Sequence, residues 1–465
     1  MTQPTGDAYD AIIIGAGQSG GPLSTALAGA GRRTALVERQ WVGGSCINYG
    51  CTPTKTMVAS ARVAYLARRG ADYGVRTGPI TIDMERVRQR KREIVESFRS
   101  GSERRVREAQ GLDLIFAEAS FTSPHELELR LKEGGTRRIS APMIFINTGL
   151  RPVDPQIPGL EKVPTLDSTA IQELAEIPEH LVVLGGGYIG VEFGQMFRRF
   201  GSNVTIIQRG PRIVDIEDPE VSEEVTKILR EDGIEVLVGT QARRADAAPG
   251  GCVRLTVATG DRERDLVASH VLKATGRAPD TEPLNLAAVG VETDQRGAIR
   301  VNDRLETNLP GVYAMGDVKG GPAFTHISYD DYRILKTNLI DGGNTGVDDR
   351  PVPYTVFIDP QLGRVGLTET KAREQGRNIR VAKMPMSYVA RALEMDESRG
   401  LMKVVVDADT DQILGCAVLG VEGGEVMSIL QVAMMGKLPY TALRDGIFAH
   451  PTLAESLNNL FAKLE

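Results

Sequence analysis

Tyr9-Asp-Ala-Ile-Ile-Ile-Gly15-Ala-Gly17-Gln-Ser-Gly20 is a short apolar run that ends in three spaced glycines. The apolar run is typical of a buried strand, and helix-compatible sequence follows the last glycine. In this order the first glycine permits a tight turn, the second lets the backbone approach a pyrophosphate, and the third permits close helix–strand packing. The stretch therefore predicts a strand, a glycine turn and a helix whose N-terminus faces a dinucleotide.

The same pattern recurs later in the chain, at His180-Leu-Val-Val-Leu-Gly185-Gly-Gly187-Tyr-Ile-Gly190. A second strand is predicted after each copy, over residues 34–38 and 204–208. One such motif alone is weak evidence, because glycine-rich turns are common. Two copies in the same strand–turn–helix–strand context favour two dinucleotide-binding domains over two turns that hold no ligand.

A threonine–glycine pair supports this duplication. Thr148 and Gly149 follow an apolar run at 143–146, and Thr275 and Gly276 follow another at 271–273. Each pair predicts a strand that leaves its sheet near the dinucleotide. From about residue 352 to the end, strand-like stretches are followed by helical ones, which indicates a separate α+β domain.

Composition and charge exclude several classes of function. The net charge is −6, with charged residues at 25 % and both signs interspersed, which argues against a nucleic-acid or membrane-surface partner. The arginine-rich stretch from Arg86 to Arg107 predicts the solvated face of a helix. No apolar run approaches the roughly eighteen residues of a membrane span, and the first ten residues do not resemble a secretion signal. A cytoplasmic location is therefore expected.

The four cysteines include one close pair, in Gly43-Gly-Ser-Cys46-Ile-Asn-Tyr-Gly-Cys51-Thr-Pro-Thr-Lys55. Cysteines at this spacing can close a small disulfide, and Thr52 followed by proline predicts the N-cap and first turn of a helix. The helix N-terminus and Lys55 would both favour the Cys51 thiolate. A reactive dithiol is thus favoured over a metal half-site or an inert pair, since zinc ligands usually come as two close pairs.

Together these motifs resemble those of the class I pyridine nucleotide–disulfide oxidoreductases, the family of glutathione reductase, lipoamide dehydrogenase and mercuric reductase. The resemblance covers essentially the whole chain and includes two further motifs, residues 313–317 (YAMGD) and 450–455 (HPTLAE). It implies an α/β fold with two Rossmann-like dinucleotide-binding domains, for FAD and NAD(P), and a C-terminal α+β dimerisation domain. The expected boundaries are 1–155 and 278–345 for the FAD domain, 156–277 for the NAD(P) domain, and 346–465 for the interface domain of a homodimer.

The resemblance also implies the roles of individual residues. Cys51 matches the thiol that lies against the flavin, Cys46 matches the thiol that attacks the substrate, and Lys55 and Glu192 match an ion pair near the flavin. The expected FAD contacts are Gly15, Gly17, Gly20, Glu38, Gly44, Ser45, Ala119, Thr148, Gly149, Asp317 and Thr325. The expected NAD(P) contacts are Gly185, Gly187, Tyr188, Ile189, Gly190, Arg209 and Gly276. No metal ligand is expected.

Dithiol chemistry also needs a proton acceptor. Thiol–disulfide exchange requires a base for one thiol and an acid for the leaving group, and histidine has a suitable pKa. Among the five histidines, His450 with Glu455 matches the acid–base pair that the partner subunit contributes in this family. The residue after Thr325 is often proline in relatives and is His326 here, and its role, catalytic or structural, stays open.

The nicotinamide coenzyme is predicted from the alignment of the two glycine motifs. Glu38 lies 18 residues after the third glycine of the first motif, and Gln208 lies 18 residues after that of the second. An acid at this place accepts hydrogen bonds from ribose hydroxyls, so Glu38 suits FAD. Gln208 lacks the charge that would repel a 2′-phosphate, and Arg209 and Arg212 could bind one. NADPH is therefore predicted, with NADH and two solvated arginines as the alternative.

The expected activity is hydride transfer from NADPH through FAD to the Cys46–Cys51 disulfide, and from there to a small-molecule or metal-ion acceptor. Residues 324–331 resemble a branch near mercuric reductase whose members reduce hypothiocyanous acid or copper ions. The alternatives are an NADH-linked dihydrolipoamide dehydrogenase, a mercuric reductase without the usual C-terminal cysteine pair, and a non-catalytic flavoprotein. The identity of the acceptor, a disulfide, an oxidised thiol-reactive species or a metal ion, is left open.

Overall fold

The computed structural model describes residues 7–348 and 350–464. The strands, numbered in chain order, are β1 (Asp7–Ala8), β2 (Ala11–Ile14), β3 (Thr34–Glu38), β4 (Leu112–Ser123), β5 (Glu126–Leu131), β6 (Thr136–Ser140), β7 (Met143–Ile146), β8 (Leu150–Pro152), β9 (His180–Leu184), β10 (Asn203–Ile207), β11 (Glu235–Leu237), β12 (Thr240–Ala247), β13 (Val253–Thr259), β14 (Arg262–Ala268), β15 (His270–Lys273), β16 (Arg277–Pro279), β17 (Val312–Ala314), β18 (Tyr354–Val356), β19 (Gln361–Gly366), β20 (Ile379–Pro385), β21 (Leu401–Asp407) and β22 (Ile413–Gly420). The α-helices are α1 (Gly20–Gly29), α2 (Gly44–Asn48), α3 (Cys51–Arg68), α4 (Met84–Glu108), α5 (Tyr188–Phe200), α6 (Pro219–Glu231), α7 (Leu286–Val289), α8 (Thr325–Leu339), α9 (Glu369–Glu374), α10 (Ala390–Glu394), α11 (Gly423–Met435), α12 (Tyr440–Arg444) and α13 (Ser456–Phe461).

The described residues within 1–56, 89–153 and 276–350 form one compact unit, and those within 57–88, 154–275 and 351–465 form a second. The expected FAD segments fall mostly in the first unit, and the expected NAD(P) and interface segments fall mostly in the second. The finer domain boundaries stay a prediction. Residues 1–6, part of the stretch that was compared with a secretion signal, lie outside the described residues. Among the helices that are described, none is long and apolar enough to cross a membrane.

The first unit is built on a sheet with strand order β1-β6-β5-β4-β3-β2-β7-β17. Strands β4, β3, β2, β7 and β17 are parallel, whereas β4, β5 and β6 form an antiparallel extension. Strand β2 is central, and all four of its residues are buried. Ile13 packs with residues of α1 and Ile12 packs with residues of β5 and β6. Because both faces are covered, the strand is apolar at every position rather than at alternate ones.

The second unit repeats this plan and adds another sheet. Strands β11-β10-β9-β15 form a parallel sheet, and β12-β13-β14 form an antiparallel one. The duplication predicted from the glycine motifs is confirmed, because a helix and a parallel strand follow each glycine turn (α1 and β3, α5 and β10). The last segment forms the antiparallel sheet β18-β19-β22-β21-β20 with helices beside it, in agreement with the predicted α+β domain.

Candidate active site

The first glycine turn is too tightly closed to accept side chains. Gly15 has a φ of 103°, and a Cβ placed on it would lie 2.4 Å from the carbonyl oxygen of Asn147. A Cβ on Gly20 would lie 2.0 Å from the Gly15 carbonyl oxygen, and a Cβ on Gly44 would lie 2.7 Å from the Gly17 Cα. The turn therefore presents backbone amides at the start of α1, which fits the pyrophosphate of a dinucleotide.

The second glycine turn repeats this geometry at the start of α5. Gly185 has a φ of 112°, and its Cβ would lie 2.3 Å from the Ala274 carbonyl oxygen. A Cβ on Gly190 would lie 1.9 Å from the Gly185 carbonyl oxygen, whereas nothing within 4 Å restricts Gly187. Tyr188 and Ile189 form the first turn of α5, directly after the glycines, and Gly276, with a φ of 132°, follows β15.

Glu38 and Gln208 occupy the same place in the two copies. The Ala16 amide donates to Glu38 Oε2 at 2.9 Å, and the Gly186 amide donates to Gln208 Oε1 at 3.0 Å. In both copies the donor is the residue after the first glycine, and the acceptor stands at or just after the end of the second strand. The alignment by glycine spacing thus has a structural counterpart, and one copy carries a charge where the other carries an amide.

Two arginines follow Gln208. Arg209 is exposed, whereas Arg212 is half-buried. The Nε of Arg212 is buried and has no hydrogen-bond partner among the described residues. A buried guanidinium nitrogen without an acceptor is unfavourable unless a ligand supplies one. This side chain therefore fits a site for an anion such as a 2′-phosphate.

The other expected flavin contacts lie in the same unit as the first glycine turn. The Thr148 hydroxyl is buried without a hydrogen-bond partner among the described residues, and burial raises the pKa of Asp317 despite Arg277 at 4.0 Å. A buried hydroxyl and a shielded carboxylate fit a polyhydroxyl ligand such as the ribityl chain of FAD. Ser45 is exposed on α2, but the Ala119 side chain is buried in the core beneath β4, so only its backbone could reach a ligand.

The two cysteines lie at the start of neighbouring helices. Cys46 lies in α2, and α3 begins at Cys51 itself, two residues earlier than the predicted N-cap at Thr52 allows. The prediction of the boundary was wrong because Pro53 can occupy any position in a first helical turn, where no amide is required. The Thr54 amide donates to the Gly50 carbonyl oxygen at 3.1 Å, so helical hydrogen bonding begins before Thr52 and places Thr52 inside the helix.

The thiols are close together and chemically unequal. Neither is in a disulfide. The neighbouring Cys51 thiol, with burial as the next cause, raises the pKa of Cys46, while Thr325 and Lys55 act in the opposite direction. The N-terminus of α3, where Cys51 lies, favours a negative charge on that residue.

Glu192 lies in α5 and is 6 % exposed. Its Oε1 accepts the backbone amide of Phe357 at 2.7 Å. One turn further, Gln195 forms two bonds with the backbone of Asp359, accepting its amide at 2.7 Å and donating to its carbonyl at 2.8 Å. Lys55, the expected partner of Glu192, belongs to the first unit, and their pairing stays a prediction.

His450 and Glu455 form a pair near the C-terminus. The Nδ1 of His450 lies 2.9 Å from Glu455 Oε2, and the imidazole is 68 % exposed. A carboxylate at Nδ1 fixes the tautomer in which Nδ1 carries the hydrogen, so that Nε2 is the basic atom. The role of the two residues as an acid–base pair stays a prediction.

Comparisons with known proteins agree with this geometry. Residues 9–331 match the sequence profile described as pyridine nucleotide-disulphide oxidoreductase, and residues 352–461 match the dimerisation domain of the same family. The chain belongs to this family. Members of the family use a flavin and a pyridine nucleotide, so the chain is a flavoprotein oxidoreductase of the disulfide reductase type.

Several members of the family are similar over their length. A probable pyridine nucleotide-disulfide oxidoreductase, RclA, from Escherichia coli K12 is 40 % identical, with 98 % of this chain and 99 % of the relative covered. Mercuric reductase from Bacillus cereus is 34 % identical over 97 % of this chain and 70 % of the relative. The solved Cu(II) complex of the HOCl-induced flavoprotein disulfide reductase RclA from Escherichia coli gives a TM-score of 0.89 at 39 % identity, with 99 % and 100 % covered.

Sequence reasoning missed contacts that hold the site of this family member together. The buried Asp331 accepts the amide of Gly316, next to Asp317, at 2.7 Å, and also faces Lys319 and Arg350. This residue lies within the quoted stretch 324–331, but its position gave no sign of a partner far away in sequence. The contact of Thr325 with Cys51, at 3.4 Å, was missed for the same reason.

Proposed function

We propose that the chain is an NADPH-dependent reductase that passes electrons through the Cys46–Cys51 pair to a small electrophilic acceptor. The observation that carries the proposal is that Cys46 in α2 and Cys51 at the start of α3 are close enough for Cys51 to raise the pKa of Cys46. Bound FAD would accept a hydride from the nicotinamide and supply two electrons to the disulfide. The residues that would hold it are the first glycine turn, Glu38, Thr148 and Asp317.

The protein's own residues divide the remaining tasks. Cys51 would be ionised first and would lie on the flavin side of the pair, while Cys46 would attack the acceptor. Because the pKa of Cys46 is raised, its attack requires a base. His450 of the partner subunit, oriented by Glu455, would take that proton at Nε2. This assignment requires a homodimer, which the match to the dimerisation domain supports.

The coenzyme is proposed from Gln208, Arg209 and Arg212. A carboxylate at position 208 would repel a 2′-phosphate, whereas an amide does not. The buried Arg212 Nε supplies a donor that needs an acceptor. These features favour NADPH over NADH, and so favour a reductase over a dihydrolipoamide dehydrogenase.

The acceptor is proposed to be an oxidised sulfur species, either a low-molecular-weight disulfide or hypothiocyanous acid. The similar protein from Escherichia coli is described as HOCl-induced and as a disulfide reductase, which supports an acceptor of this kind. A second candidate is Cu(II) as an electron acceptor, because that relative has been solved as a Cu(II) complex.

The test is a panel of acceptors with the purified holoenzyme and NADPH, following coenzyme oxidation. Disulfides, hypothiocyanous acid, Cu(II) and Hg(II) would be compared for the wild type and for Cys46→Ser and Cys51→Ser. Cys252→Ser removes a thiol that is half-buried elsewhere and serves as the matched control. Loss of turnover in the first two variants only is expected, and turnover that survives in Cys46→Ser would contradict the proposal.

A further inference from the structure

Thr325 connects the redox pair to a third helix. It is the first residue of α8, and its Oγ1 lies 3.4 Å from the Sγ of Cys51. The same hydroxyl acts to lower the pKa of the Cys46 thiol. One hydroxyl therefore serves two sulfurs, which belong to α2 and α3.

A threonine hydroxyl has one hydrogen to donate, so it can serve only one of two sulfur atoms at a time. A hydrogen bond to a thiolate is stronger than one to a neutral thiol, because the acceptor is charged. We propose that the Thr325 hydroxyl donates its hydrogen to whichever of the Cys46 and Cys51 sulfurs is ionised, and is thus a catalytic residue of the pair. This inference rests on the redox role proposed above for the two cysteines.

The structure fixes Thr325 in a position to do this. Ser328, in the same first turn of α8, contacts the hydroxyl of Ser19 at 3.0 Å, and Ser19 donates to Asn147 Oδ1 at 2.8 Å. Ser19 and Ser328 are buried, so the turn is held against the glycine turn by bonds that water does not compete for. Threonine is also restricted at χ1, so little rotamer freedom is lost when its hydroxyl is held at the sulfurs.

Lys55 also acts on the two cysteines, but in a different way from Thr325. Lys55 lowers the pKa of Cys46 through its charge, and Cys51 raises it. An ammonium near both sulfurs stabilises a negative charge on either of them without a change in its own bonding. The Thr325 hydrogen can instead rotate from one sulfur to the other, so that a single negative charge can move from Cys51 to Cys46 without losing its hydrogen bond.

The experiment measures the ionisation of each cysteine separately. The reduced holoenzyme is alkylated with iodoacetamide at a series of pH values, and the rate at each cysteine is read by peptide mass spectrometry. Thr325→Val removes the hydroxyl but keeps the shape, Thr325→Ser keeps the hydroxyl, and Thr337→Val makes the same change about three turns further along α8. Thr325→Ala is a second variant without the hydroxyl, in case the valine variant does not fold.

The valine and alanine variants should move the alkylation midpoints of both Cys46 and Cys51 upward by about one pH unit, which slows alkylation about tenfold below the midpoint. Thr325→Ser and Thr337→Val should resemble the wild type. Equal shifts in the valine and serine variants, no shift, or a shift at Cys51 alone would overturn the inference. The redox role itself is tested apart from this, since a wild type with as many free thiols before as after reduction would refute that role.

Discussion

The predicted coenzyme preference depends on very few atoms of the structure. In the two copies of the dinucleotide motif, a backbone amide donates to Glu38 Oε2 at 2.9 Å and to Gln208 Oε1 at 3.0 Å. Gln208→Glu would keep this bond, because a carboxylate oxygen accepts as well as an amide oxygen does, and would add one negative charge. The variant therefore isolates the effect of charge at this site.

The expected magnitude follows from charge-assisted hydrogen bonds. Such a bond contributes about 1.5–3 kcal/mol, so the loss of one phosphate contact should lower kcat/KM for NADPH by roughly ten- to a hundredfold. Arg209→Ala and Arg212→Ala should each have an effect of this size. Gln208→Glu should weaken NADPH by a similar factor and leave NADH nearly unchanged.

The assay compares kcat/KM for NADPH and NADH in the wild type and in each variant. Arg243→Ala, which removes an exposed arginine from the same unit, controls for the general loss of positive charge. Its ratio of the two coenzymes should equal that of the wild type. A wild type that prefers NADH, or Arg209 and Arg212 variants with unchanged NADPH kinetics, would refute the reasoning and restore dihydrolipoamide dehydrogenase as the better candidate.

Two further predictions concern the dimer and the stability of the second unit. If each active site takes Cys46 from one subunit and His450 from the other, mixed dimers of Cys46→Ser and His450→Ala subunits should recover about half the wild-type activity. Activity that stays at background after mass measurement has confirmed subunit exchange would exclude such composite sites. Lys403 is 1 % exposed and is bonded to three carboxylates. Lys403→Met should therefore lower the free energy of unfolding by about 3–5 kcal/mol, measured by thermal unfolding. Lys371→Met, at an exposed lysine, should leave this free energy unchanged. Burial acts to raise the pKa of Asp218, but Lys403 and other donors outweigh burial and hold this pKa at about 2. About 2 kcal/mol of stability should therefore be lost as the pH falls from about 4 to 2. A wild type whose thermal midpoint is flat across this range would contradict the prediction.

The features that the sequence predicted well are those set by neighbouring residues. The glycine turns, the strands that precede them and the placement of Glu38 and Gln208 all depend on spacing within a short segment. The error at Cys51 is local as well, because Thr52 and Pro53 are compatible with both the N-cap and the interior of a first turn. Helix ends are poorly determined when several residues suit the same position.

The contacts that the sequence did not predict join segments far apart. Phe357 presents a backbone amide to Glu192, and backbone atoms give no sequence signal. Asp331 is fully buried although it stands beside another acid in a polar stretch, because its partners Lys319 and Arg350 come from other segments. Such pairs depend on how helices and loops pack, which local periodicity does not encode.

The duplicated fold explains how one chain can distinguish two dinucleotides. Both glycine turns are closed by equivalent backbone contacts, so neither turn can by itself distinguish a flavin dinucleotide from a pyridine nucleotide. A difference between the copies lies in the side chains at the end of the second strand, where an acid stands in one copy and an amide followed by arginines stands in the other. Because this difference concerns side chains on a shared backbone, exchanging the charge at position 208 should alter coenzyme choice without altering the fold.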